Sequence, residues 1–207
     1  MDSLENQFLI AMPSLAGDYF NKTVTYICEH NDEGAMGLII NMPVNITLHN
    51  LLKQIAENDP QQVSDNKSTV EPKTKPLAEQ SILGSHSLEQ LVLSGGPISQ
   101  DRGFVLHRTQ SGWNSSIALN DDIMVTTSKD ILLALGTEKE PEQFMVTLGY
   151  AGWGPGQLET ELQANSWLTI DADSDILFNT PIEQRWQKAT EKLGIDIAHL
   201  SSDIGHA

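Results

Sequence analysis

Cys28 and His30 stand two apart in Thr23-Val-Thr-Tyr-Ile-Cys-Glu-His30, a run rich in β-branched and aromatic residues. In an extended strand, alternation places Val24, Tyr26, Cys28 and His30 on one face. An imidazole beside a thiol lowers the thiol pKa, so the pair outlines a redox sensor or a thiol enzyme. The plainer reading is favoured: Val24, Tyr26 and Cys28 face the core, where a free cysteine behaves as a small apolar residue. His30, Asp32 and Glu33 also bring metal-binding atoms together. No second histidine lies at a recognised spacing, and His49, His86, His107, His199 and His206 are scattered. One cysteine leaves no internal disulfide and no multi-thiolate site. Neither a metal nor a cofactor is expected.

Two glycine turns are the other candidates. Ser94-Gly-Gly-Pro97 follows an apolar run. The N–H groups of Gly95 and Gly96 would form an anion nest, with Arg102 as counter-charge. The pattern is not Gly-x-Ser-x-Gly, and a tight turn without ligand is the stronger reading. The second turn, Gly152-Trp-Gly-Pro-Gly156, opens a helix expected over 155–164, with Pro155 in its first turn. It lacks the lysine of a nucleotide loop, and Glu159 and Glu161 would repel phosphate at that end. Trp153 between two glycines suits either an aromatic wall or a buried anchor. The expected ligand or partner surface is therefore Ser94, Gly95, Gly96, Arg102, Trp153 and Gly154. No catalytic set accompanies it.

Arg185, Lys188 and Lys192 form a basic stripe at helical spacing, the one place where direct contact with DNA would be sought. Glu183 and Glu191 interleave with them, which favours a solvated face with helix ion pairs. The chain carries 28 acidic against 12 basic side chains, a net charge of -16. Such a charge repels polyanions, whose binding rests on phosphate neutralisation. Direct nucleic-acid binding and an anionic membrane surface are poor expectations.

The elements that position these residues are read from periodicity. Strands are expected at 8–12, 23–30, 35–41, 90–94, 103–108, 123–127, 144–150 and 166–170, with a hairpin turning at Asn31–Gly34. Thr47 is expected to cap a helix carrying Leu48, Leu51, Leu52 and Ile55, and Ser128 to cap one over 129–135. Pro181–Leu193 reads as an amphipathic helix with Ile182, Trp186, Ala189 and Leu193 on one face, ended by Gly194. Between about 58 and 88, Pro60, Pro72 and Pro76 among polar residues suggest a mobile surface loop. Hairpins mixed with scattered helices indicate an α+β fold: a single domain over 1–207, with a mixed, largely antiparallel sheet and flanking helices.

With 39% hydrophobic and 19% charged residues, the composition is that of a globular protein. The acidic start and the break at Pro13 do not fit a secretory leader, and no segment nears the roughly 18 apolar residues of a membrane span. The cytoplasm is the expected location.

Several motifs occur together in a particular order: Phe8-Leu-Ile-Ala-Met-Pro13, Tyr26-Ile-Cys-Glu-His30, Gly34-Ala-Met-Gly-Leu-Ile-Ile-Asn41 and Ser94-Gly-Gly-Pro97 with Asp101-Arg-Gly103. Asp122, Ser128-Lys-Asp-Ile131, the Gly149–Trp167 run, Phe178-Asn-Thr-Pro181 and Leu200-Ser-Ser-Asp-Ile-Gly-His-Ala207 complete the set. In these the chain resembles the AlgH/YqgE family, over nearly its whole length apart from about 58–88. The resemblance implies a bacterial protein with one α+β domain and a mixed, partly barrel-like sheet. It supplies no catalytic residues. Some members are labelled transcriptional regulators, through a link to alginate production. The leading expectation is a cytoplasmic regulatory or binding protein acting through a protein or small-molecule partner. The alternatives are a regulator touching DNA directly and a thiol sensor or enzyme built on Cys28.

Overall fold

Phe8, Leu9, Ile10 and Ala11 are all buried, with no polar residue between them. Such a run needs cover on both faces, and it forms the inner strand β1 (Gln7–Ala11). The computed structural model describes residues 3–12, 19–58 and 86–194. Across them, β2 (Val24–Asn31) and β3 (Gly34–Ile39) make the expected hairpin. β4 (Pro43–Thr47) leads into α1 (Leu48–Glu57), whose first turn is capped by the Thr47 side chain accepting from the Asn50 N–H. After a 3-10 turn at His86–Glu89 come β5 (Leu91–Ser94), β6 (Ile98–Arg108), β7 (Ser116–Ala118) and β8 (Ile123–Thr126). Next are α2 (Lys129–Ala134), β9 (Phe144–Trp153), α3 (Gln157–Gln163) and β10 (Trp167–Asp171). The described chain closes with α4 (Ser174–Phe178), a 3-10 turn at Ile182–Gln184 and α5 (Arg185–Lys192).

The strands join into one curled half-barrel in the order β10-β1-β2-β3-β9-β6-β8-β7, with β4 and β5 branching from β9. Every pairing is antiparallel except β5 with β9. The fold is thus α+β with a mixed, mainly antiparallel sheet. Alternate residues of β1 feed two cores. Phe8 and Ile10 join Tyr26, Leu38 and Trp186, while Leu9 and Ala11 join Ile27, Trp153, Leu158 and Trp167. A third cluster, including Leu48, Val92, Ile131 and Val146, lies between α1, α2 and the β5–β6–β9 region.

Several expectations need correction. The Pro43–Thr47 stretch is a strand. β6 begins at Ile98 and not at Gly103, and β7 and α4 were not anticipated. β9 does not stop at Tyr150: its ladder runs to Trp153, which pairs with Ala35. Gly156, at φ +71°, is the N-cap of α3, so Pro155 precedes the helix and is not in its first turn. The Ser128 hydroxyl makes no cap bond to the α2 backbone because it is engaged by the Asn114 carbonyl and the Asp130 carboxylate. Of the loop expected at 58–88, residues 59–85 lie outside the described residues. Its last part is ordered as the 3-10 turn at 86–89, where Leu88 is buried. Among the described residues no helix is long and apolar enough to cross a membrane.

Candidate functional site

The first glycine turn is consumed by packing. Gly95 donates its N–H to the Leu148 carbonyl at 2.7 Å, so that group is not available to an anion. A Cβ on Gly96 would sit 2.0 Å from the Tyr150 carbonyl carbon, and one on Gly95 2.2 Å from the Gly149 oxygen. Both glycines are buried; they exist so that the chain leaving β5 can lie directly on β9. Ser94 Oγ lies 2.9 Å from Tyr19 Oη. Arg102 is exposed and stacks over the Phe104 ring at 5.3 Å.

Trp153 is an anchor and not a wall. It is 7% exposed and donates its indole N–H to Glu161. Gly154 is exposed, with its N–H given to the Gln157 side chain. The two turns meet β9 at different points, Gly96 at Tyr150–Ala151 and Gly154 beyond Trp153. Of the six expected surface residues, Gly95, Gly96 and Trp153 are buried, Ser94 is half-buried, and Arg102 and Gly154 are exposed.

Cys28 and His30 are also parted. A β-bulge makes Cys28 an extra residue between the pairs Ile27–Gly37 and Glu29–Met36. Cys28 and Met36 pack against the Tyr26 core, whereas His30 pairs with Ala35, which belongs to the opposite core. The same-face expectation fails because the bulge resets the alternation. Burial, and next the Glu29 charge, push the Cys28 thiol far above its ordinary range. His30 Nδ1 accepts the Leu4 N–H at 3.0 Å, which leaves Nε2–H to donate to Glu159 Oε1 at 2.8 Å. Its own backbone N–H and the His30 imidazole hold the Glu159 carboxyl below the usual range. Asp32 and Glu33 point to solvent, and among the described residues no group of three His, Cys, Asp or Glu is placed to hold a metal.

The basic stripe dissolves too. Lys188 pairs with Glu191 at 3.2 Å and Lys192 with Asp173 at 2.9 Å. Arg185 is buried, and it donates from Nε to the Thr180 carbonyl at 3.1 Å and from Nη1 to the Ile40 carbonyl. No carboxylate among the described residues comes within 4.0 Å of it. Burial draws its pKa down to about 10 against the opposing pull of Glu183.

Arg185 lines a cleft of about 560 Å³ between the β5–β9 side of the sheet and the 177–185 segment. Leu93, Met145, Leu177 and Ile182 supply apolar wall; Glu140, Glu142 and Glu183 supply acid. None of the surface residues expected from the sequence lines it. The signal that would have found it is spacing: Arg185 stands three after Ile182 and four before Ala189, on the apolar face of its helix.

Around this geometry, the AlgH-like (DUF179) family model matches residues 8–198. The chain belongs to that family. A UPF0301 protein of Colwellia psychrerythraea is 67% identical over 210 aligned positions, covering 100% of both chains. One of Vibrio cholerae is 52% identical, over 99% of this chain and 100% of its own. The solution structure of AlgH from Pseudomonas aeruginosa is 38% identical with a TM-score of 0.72, over 99% of this chain and 96% of that one. A Corynebacterium diphtheriae protein at 16% identity and TM-score 0.66, covering 98% and 93%, shares the AlgH-like fold.

Proposed function

We propose that this AlgH-like chain is a regulatory binding protein of the bacterial cytoplasm, taking a small molecule or a segment of a partner protein in the cleft beside Arg185. The observation that carries the reading is a buried guanidinium at a cleft wall with no carboxylate among the described residues within 4.0 Å, Glu183 acting on it only from further off. Desolvating a cation is costly unless something offsets it, and two backbone carbonyls offset it only in part. The cleft volume falls within the range of ordinary ligand sites, roughly 300–1,000 Å³. Binding is favoured over catalysis because the strongest reactive pair in the sequence, Cys28 with His30, is split between two faces. The unpaired thiol of Cys28 suits a reducing compartment.

The test compares the protein with its Asn179→Trp variant, which fills the cleft from an exposed position. Each is equilibrated with the small-molecule and protein fractions of bacterial cytosol. Retention of a component by the wild type but not by N179W is expected. Equal retention by both forms, or none by either, removes the cleft as the site of action.

A further inference from the structure

We propose that the cleft takes a zwitterion with an apolar body, an amino acid or short peptide, its carboxylate meeting Arg185 and its ammonium meeting the acidic rim. The inference rests on the cleft being the binding site and adds the chemistry of its occupant.

Arg185 is 7% exposed, and a guanidinium has five N–H groups. One goes from Nε to Thr180 and one from Nη1 to Ile40; the others have no acceptor among the described residues. A planar carboxylate satisfies a guanidinium edge with charge-assisted bonds, which neutral acceptors do less well.

The rim has the opposite sign. Glu140 is fixed by the Ser87 hydroxyl at 2.9 Å and the Gly136 N–H at 2.7 Å. Glu142 and Glu183 are exposed, and no described lysine or arginine comes within 4.0 Å of either, although the Glu183 charge is felt at Arg185 from further off. A wholly anionic ligand would meet three carboxylates for one guanidinium. A wholly cationic one would leave the Arg185 donors unmet. Only a ligand carrying both charges answers both ends, and Leu93, Leu177, Phe178 and Ile182 supply an apolar surface for what joins them.

Isothermal titration calorimetry on the full chain tests this with four probes: leucine, leucyl-leucine, leucine amide and 4-methylpentanoate. The amide lacks the carboxylate and the acid lacks the ammonium. One of the two zwitterions is expected to bind about ten-fold tighter than both singly charged probes, as loss of one charge-assisted contact implies. Arg185→Lys and the exposed Glu183→Gln should each weaken that probe several-fold, and E183Q guards against a folding defect at the buried position. Equal binding of a singly charged probe overturns the proposal. Silence of all four probes, while cytosol still yields a component displaced by N179W, overturns the zwitterion and leaves the cleft reading standing. Silence in both experiments overturns both.

Discussion

Trp153 and Trp167 meet edge to face, with ring centroids 5.9 Å apart and planes at 80°. Both indole N–H groups point at the same oxygen, Glu161 Oε2, at 2.9 and 2.7 Å. Glu161 sits on α3, which connects the strands that carry the two rings, so one carboxylate ties the turn shut. The glycines around Trp153 give the chain room to make that fold, and the ring itself is spent on the core.

Glu161→Ala should cost about 2–4 kcal/mol of folding stability, because two largely buried N–H donors lose their acceptor. Glu161→Gln keeps a carbonyl oxygen and should lose clearly less. Urea midpoints for the two variants check this; equal losses would mean the indoles do not depend on the carboxylate.

Gly96→Ala forces a methyl into the β9 backbone at a residue already at φ +156°. We expect a loss of about 2 kcal/mol or more, from strain and overpacking. Thermal unfolding would show it, and an unchanged midpoint would contradict the close crossing. Alanine at Gly112, with nothing within 4 Å, lacks the clash.

His107 is buried, with Nδ1 2.7 Å from the Arg108 carbonyl and Nε2 2.8 Å from Thr126 Oγ1. Nδ1 must donate to the carbonyl, and in the neutral ring that burial favours Nε2 accepts the threonine hydroxyl. Burial lowers its pKa, only partly opposed by the Arg108 carbonyl. The unfolded chain therefore takes up this proton first. Stability from this group is present above the unfolded value of about 6.5 and is lost as pH falls below it. A urea series from pH 8 to 5 should show that decline, flattened in His107→Gln. An identical slope in the variant would assign the decline to other groups.

Cys28, half-buried and packed against the Tyr26 core, should resist alkylation in the native protein and react fully after denaturation, since desolvation and the Glu29 charge keep its thiol protonated. Intact-mass measurement after brief iodoacetamide treatment decides it. Rapid native labelling would revive the thiol reading.

Much of the fold was legible because the signals were local. Phe8–Ala11 has no polar interruption, Thr47 stands one residue before a Leu48–Leu51–Ile55 stripe, and Asn31–Gly34 carries turn chemistry. β4 and β7 were missed because Pro43 and the short polar run at Ser116 look like loop, and partners elsewhere in the chain make them strands. The candidate site was the least legible part. Charge alone sets Arg185 on a solvated face, although its spacing from Ile182 and Ala189 puts it inward. Trp153 was ambiguous from its neighbours alone, since the acceptor that buries it lies eight residues on.

The bulge in β2 has a bearing on tolerance to deletion. Ile27 already sits opposite Gly37, and Glu29 opposite Met36. Excising Cys28 would leave those partners in register and straighten the ribbon between them. The chain's sole thiol is thus a supernumerary rung, one the ladder can close over.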